Sequence, residues 1–224
     1  DTSHMKQNTL TEGNILKTLL FFAVPFLIAN ILQSLYGAVD LFVVGKYCGA
    51  ESVAAVSTGT QVTQIITSLI TGLTLGGTIL IGDGMGKKDY ESVKKIIGTT
   101  LTIFAVFAII LTVLMLFFER QLLTLLHTPQ ESFELTVQYV TVCSLGNIFI
   151  CGYNAISAVL RGYGDSTRPM CFVGIACIIN ILLDFIFVKY LGLNVVGTAL
   201  ATVISQALSM MIAIVYLKKK EFLF

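Results

Sequence analysis

Two carboxylic acids stand where a carboxylate is costly. Asp40 lies inside the apolar run Ile15–Val44, and Asp184 inside the apolar run Met170–Val188. Placing a charge in hydrocarbon costs roughly 2.5–3.5 kcal/mol on insertion scales, so an acid at membrane depth is a functional-site hypothesis by default. Both acids have amide and hydroxyl neighbours at helical spacing. Asn30 and Gln33 share a helix face with Asp40, Asn180 stands four residues before Asp184, and Thr198 and Thr202 repeat at the same interval in the next apolar run. That pattern suggests a buried cation or proton site, and with it a transporter.

Other chemistries fail on their residues. Gly82-Asp83-Gly84-Met85-Gly86-Lys87-Lys88 has the look of a phosphate loop, but Ile81 stands where the first glycine is needed and Lys88 where Ser or Thr is needed. It reads as a tight turn. Gly162-Tyr163-Gly164-Asp165 matches the G-x-G-D string of intramembrane aspartyl proteases, yet it lies between Arg161 and Arg168 in a loop. No Ser/His/Asp or Cys/His set is available, because His127 sits beside Pro129 in a loop and His4 belongs to Asp1–Met5, which reads as a cloning scar. The chain is therefore expected not to be an enzyme. The five cysteines, Cys48, Cys143, Cys151, Cys171 and Cys177, form no C-x-x-C pair and read as small packing residues.

The elements that must position these residues are membrane helices. The chain is 55% hydrophobic and 12% charged, with a mean hydropathy of +0.87, outside the soluble range. A net charge of +1 leaves no nucleic-acid footprint. Six segments are long and apolar enough to span a bilayer: 15–44, 53–81, 96–118, 133–160, 170–188 and 195–217. Their hydrophobicity is continuous rather than alternating, which favours helices over a barrel. Lys6, Lys17, Lys87, Lys88, Lys94, Lys95, Arg161, Arg168, Lys218, Lys219 and Lys220 fall on one side, against Lys46, Arg120 and Lys189 on the other. The positive-inside rule then places both termini in the cytoplasm of a multi-pass plasma-membrane protein. With that orientation Asp184 lies roughly 21 Å into its span at 1.5 Å per residue. Asp40, Thr198 and Thr202 fall in the same outer half.

Polar stripes run along five spans: Asn30, Gln33, Gly37 and Asp40; Gln61, Gln64, Ser68 and Thr71; Asn147 and Asn154; Asn180 and Asp184; Thr198, Thr202, Ser205 and Ser209. They either converge on a wet cavity, with Asn30, Gln33, Asn147 and Asn154 as its substrate-facing residues, or hold helices together by hydrogen bonds. Span three carries only threonines and reads as the lipid-facing member. Pro25 removes a backbone hydrogen bond in span one. It is either a hinge for the Asp40 half of that helix or a static kink.

Four strings resemble the multidrug and toxic compound extrusion (MATE) transporters. They are Val24-Pro25-Phe26 with Val39-Asp40 and Val43-Val44-Gly45, the loop Leu160–Pro169, Asn180-Ile181-Leu182-Leu183-Asp184-Phe185, and Gly197-Thr198-Ala199-Leu200-Ala201-Thr202. They come in order and cover about Thr11 to Lys220. The resemblance implies an all-α membrane protein, with 6–220 forming the N-terminal six-helix lobe of a twelve-helix, alternating-access exporter. It implies a coupling cation, Na⁺ or H⁺, held by Asp40, Asn180, Asp184 and Thr202, with the backbone carbonyl of Thr198 as a further ligand. Thr198 departs from the small apolar residue expected there. Carboxylates, an amide oxygen and a hydroxyl are hard donors suited to Na⁺, and the same two acids can instead hold a proton. No other cofactor is implied.

Partners follow from this reading: an amphipathic, cationic drug-like substrate, membrane lipid, and a second six-helix lobe. Residues 218–224 read as the start of a linker to that lobe, related to this one by an axis along the membrane normal. The chain is expected to be a truncation, or else a fragment of a longer chain or a half-transporter that pairs with another copy of itself. Two alternatives stand beside drug export. A lipid-linked oligosaccharide flippase of the same superfamily would want arginines in the cavity, whereas every Arg here lies at a loop or span end. A non-transporting membrane scaffold would have no need of paired intramembrane acids.

Overall fold

The computed structural model describes residues 14–219. The described residues are all-helical: α1 (Ile15–Tyr47), α2 (Ala50–Gly86), α3 (Tyr90–Leu125), α4 (Gln130–Leu145), α5 (Asn147–Gly162), α6 (Thr167–Asp184), a π-helical turn (Phe185–Tyr190) and α7 (Asn194–Lys219). Local chemistry sets several boundaries. The Asn14 side chain accepts the Leu16 backbone N–H at 3.0 Å and so caps α1. Asp89 does the same for α3 through Ser92, at 3.1 Å. Gly164, at φ 83°, supplies the left-handed turn between α5 and α6.

Five helices or helix runs are long and apolar enough to cross a membrane, and the α4–α5 pair, bent by 47°, makes up a sixth span. The expected span 133–160 is thus two helices rather than one. Gly146 is the break, and Val203 of α7 stands where its side chain would be, 2.5 Å from an ideal Cβ. The expected tight turn at Gly82–Gly86 is helical; α2 runs through Gly86, and the chain turns at Lys88, φ 59°. Span five extends past Asp184 in a wider, π-helical winding.

Small residues let the helices close on one another. Gly59 of α2 admits the buried ring of Tyr139 from α4, Gly162 of α5 lies against Ile81 of α2, and Gly152 of α5 lies against Met210 of α7. Among the described residues α3 packs only on α2, α4 and α5, whereas α6 packs on α1, α5 and α7. Side chains from three helices donate to the α6 backbone: Tyr36 of α1 to the Val173 carbonyl, Tyr153 of α5 to that of Pro169, and Ser209 of α7 to that of Phe172. The most apolar 18 residues of α1 include no buried residue, against 22% of those of α3. Near its end α3 buries Glu119, which accepts a hydrogen bond from Thr141 at 2.9 Å.

Candidate functional site

Asp40 of α1, Asn180 and Asp184 of α6 and Thr202 of α7 come together where these three helices meet. Asp40 is 2% exposed, and Asn180 and Asp184 are fully buried. Thr202 Oγ1 donates to Asp40 Oδ2 at 3.3 Å and accepts from Asn180 Nδ2 at 3.4 Å. The carboxyl groups of Asp40 and Asp184 are direct neighbours. Asp40 Oδ1, Asn180 Oδ1 and both carboxylate oxygens of Asp184 are buried without any donor. Four oxygens of one cluster are thus left unsatisfied, although buried polar atoms are almost always paired. Two adjacent buried carboxylates supported by one long hydrogen bond need a positive charge or a proton between them.

Thr198 is also buried, and its hydroxyl is unpaired. No hydrogen bond joins that hydroxyl to the cluster. Sequence reasoning missed three features of the site. Tyr36, one turn before Asp40 on the same face, lies within electrostatic reach of that acid, and so does Tyr139 of α4. The spacing of Tyr36 was a usable signal, while Tyr139 offered none. The third feature is the winding itself. Asp184 is the last residue before the backbone widens into the π turn, a distortion often found at functional positions.

A second polar region lies toward the end of the bundle where α1 and α6 begin. Asn30, Gln33, Thr71, Tyr153, Asn154 and Arg161 line a cavity of about 30 Å³ between α1, α2, α5 and α6. Three of the four residues expected to face a substrate are therefore together. Asn147 is not among them; it is buried at the start of α5. Asn154 spends its amide N–H₂ on the Ile150 carbonyl at 2.8 Å and so offers the cavity an oxygen. Arg161 lies at the end of its span as expected, but it lines the cavity all the same: it reaches back into it, its guanidinium 5.4 Å from the centre of the Phe26 ring. Pro25 is half-buried, and α1 stays helical through it. Ser166, in the α5–α6 loop, donates to the Phe22 carbonyl at 2.8 Å and ties the loop to α1 just before the proline.

Comparison with known proteins agrees with this arrangement. The profile of the MatE family matches residues 25–186. The chain belongs to the MatE family. A Bacillus subtilis relative named "Probable multidrug resistance protein YpnP" is 29% identical over 97% of this chain and 49% of its own length. The Staphylococcus saprophyticus "Multidrug export protein MepA" is 25% identical over 94% of this chain and 47% of its own. A solved structure, "Crystal structure of MATE in the bent conformation", superposes with a TM-score of 0.91 at 29% identity, covering 98% of this chain and 49% of that one. The MATE chain described here spans about half the length of these relatives, as one six-helix lobe would. It is an integral, multi-pass membrane protein, and its family is one of transporters.

Proposed function

We propose that this chain is the cation-binding N-terminal lobe of a Na⁺- or H⁺-coupled antiporter that exports amphipathic drugs by alternating access. The observation that carries the reading is the unsatisfied cluster at Asp40, Asn180, Asp184 and Thr202. Two carboxylates, an amide oxygen and a hydroxyl, buried together with their lone pairs unspent, suit a small hard cation or a shared proton. Cation entry from the outer face satisfies those oxygens and draws α1, α6 and α7 together. The change passes down α1 toward the cavity lined by Asn30 and Gln33, where a drug is displaced. Pro25 lies between that cavity and the N-terminal turns of α1, and we assign it as the hinge.

The lobe sits in the plasma membrane with both ends cytoplasmic, and it works against a second six-helix lobe. Gln61, Gln64 and Ser68 of α2 and Asn30 of α1 are exposed at membrane depth. A polar face of that kind favours a water-filled cleft opposite another lobe over lipid.

The test is Na⁺ binding to the purified chain at pH 6 and pH 8, beside Asp40→Asn and Asp184→Asn. Saturable binding that disappears in both variants and weakens at pH 6 is the expected result. In the two-lobe transporter, an Asp40→Asn, Asp184→Asn double variant that still exports drug against a gradient would sink the proposal.

A further inference from the structure

Among the described residues Arg161 is the one charged side chain that lines the polar cavity between α1, α2, α5 and α6. Its neighbours there are neutral: Asn30, Gln33, Thr71, Tyr153 and Asn154. The nearby acids have partners of their own. Asp165 pairs with Arg168, and Asp83 pairs with Lys87 at 2.6 Å. Among the described residues Arg161 has no carboxylate partner, and its guanidinium lies against the face of Phe26. A guanidinium presents five N–H donors in a planar fork that matches an oxyanion, and none of them bonds to a side chain of the described residues. The cavity, at about 30 Å³, has room for about two waters or one small polar group, not for a whole drug. Asn154 and Tyr153 donate to backbone carbonyls, at 2.8 and 2.9 Å, so the donors left to the cavity come chiefly from Arg161 and the amides of Asn30 and Gln33.

We infer that Arg161 makes this cavity an oxyanion subsite, which takes the carboxylate or phosphate group of an amphiphile whose apolar body lies along α1. The inference rests on the transporter reading and adds a substrate class to it. A purely cationic drug has no acid to meet here and meets a positive charge instead. A zwitterionic or carboxylate-bearing amphiphile pairs with Arg161 through two parallel N–H···O bonds. The phosphate of an anionic lipid offers the same chemistry from a second source.

The test uses the purified chain in neutral detergent, with radiolabelled octanoate as the probe. Octanamide, of the same shape but uncharged, and octyltrimethylammonium serve as competitors. We expect octanamide to compete at least about tenfold more weakly than unlabelled octanoate, equivalent to ~1.4 kcal/mol, and octyltrimethylammonium more weakly still. Arg161→Gln abolishes that preference, and Arg161→Lys keeps part of it as a point charge. Equal competition by octanamide, or an unchanged preference in Arg161→Gln, overturns the inference. If Arg161→Gln does not fold, the same reading is taken from Arg161→Lys, where an undiminished preference counts against the bidentate role. Added phosphatidylglycerol, against phosphatidylcholine, identifies the source: displacement by the anionic lipid alone assigns the site to a lipid phosphate, and no displacement by either assigns it to a free carboxylate. Na⁺ binding measured in the same samples separates the two proposals. Intact Na⁺ binding without octanoate preference removes only the oxyanion subsite, and loss of Na⁺ binding with the preference intact removes only the cation reading.

Discussion

Thr202→Val takes one hydroxyl out of the cluster and keeps the side-chain shape. That hydroxyl donates to Asp40 Oδ2, at 3.3 Å, and accepts from Asn180 Nδ2, at 3.4 Å. Both distances are at the long end of the hydrogen-bond range, so the bonds themselves contribute at the low end of ~0.5–1.5 kcal/mol each. Removing the hydroxyl also leaves a buried amide N–H with no partner, which costs about 1–3 kcal/mol. We expect a loss of about 1–2 kcal/mol in Na⁺-free buffer. For a chain of this size that lowers Tm by roughly 2–8 °C. The second effect is on the ion. At a Na⁺ concentration of about one hundred times Kd, binding adds about 2.7 kcal/mol to the stability of the wild type. If losing one oxygen ligand weakens Kd about tenfold, the same Na⁺ adds only about 1.4 kcal/mol. Thermal unfolding in detergent, with choline as the control cation, reads both effects. Thr202→Ser, which keeps the hydroxyl, should restore both. A Thr202→Val chain with unchanged Tm and an unchanged Na⁺ increment would refute the assignment of Thr202 to the cluster.

Two further substitutions test how the helices are held. An alanine Cβ at Gly162 would stand 2.6 Å from Ile81 Cβ and Cγ2 and 3.2 Å from the Thr78 carbonyl. Ile81 is branched at Cβ and stiff, so Gly162→Ala should destabilise by ~1–3 kcal/mol of overpacking, less the ~1 kcal/mol by which alanine favours a helix; an unchanged Tm would mean that α2 and α5 are not in close contact there. Ser166→Ala removes the 2.8 Å bond to the Phe22 carbonyl. Hydrogen exchange of α1 amides around Pro25 should then speed by roughly fivefold, for ~1 kcal/mol, while amides around Asp40 keep their rates. Equal acceleration along the whole helix would deny a local clasp.

The two acids were legible because a charge inside an apolar run is its own signal, whatever the fold around it. The order and number of spans were legible for the same reason, since length and hydropathy are one-dimensional quantities. What the chain hides is which way a side chain points once a helix ends. Arg161 sits at the last turn of α5 by position, and only the packing of Phe26 and α1 turns it back into the cavity. Asn147 keeps helical register with Asn154, but the bend at Gly146 makes it the first residue of a separate helix and removes it from the cavity. Glu119 falls one residue past the expected end of span three, and it is buried because α4 brings Thr141 against it. The π turn after Asp184 has no local sequence signature; it arises where α6 must meet both α1 and α7.

The lengths of α2 and α3 have a practical consequence. At 37 and 36 residues they are each about 55 Å long, against a hydrocarbon core of about 30 Å. Even a tilt of 40°, the upper end of what membrane helices show, leaves roughly 12 Å of each outside the apolar slab. Part of the surplus falls at the hairpin that joins them, where exposed ion pairs, Lys87–Asp83 and Lys95–Glu91, decorate the two helices. That hairpin is a helical, charged knob on a protein largely wrapped in lipid or detergent. It is the place to attach a fluorophore, raise an antibody fragment or graft a fiducial domain for imaging, away from the paired acids.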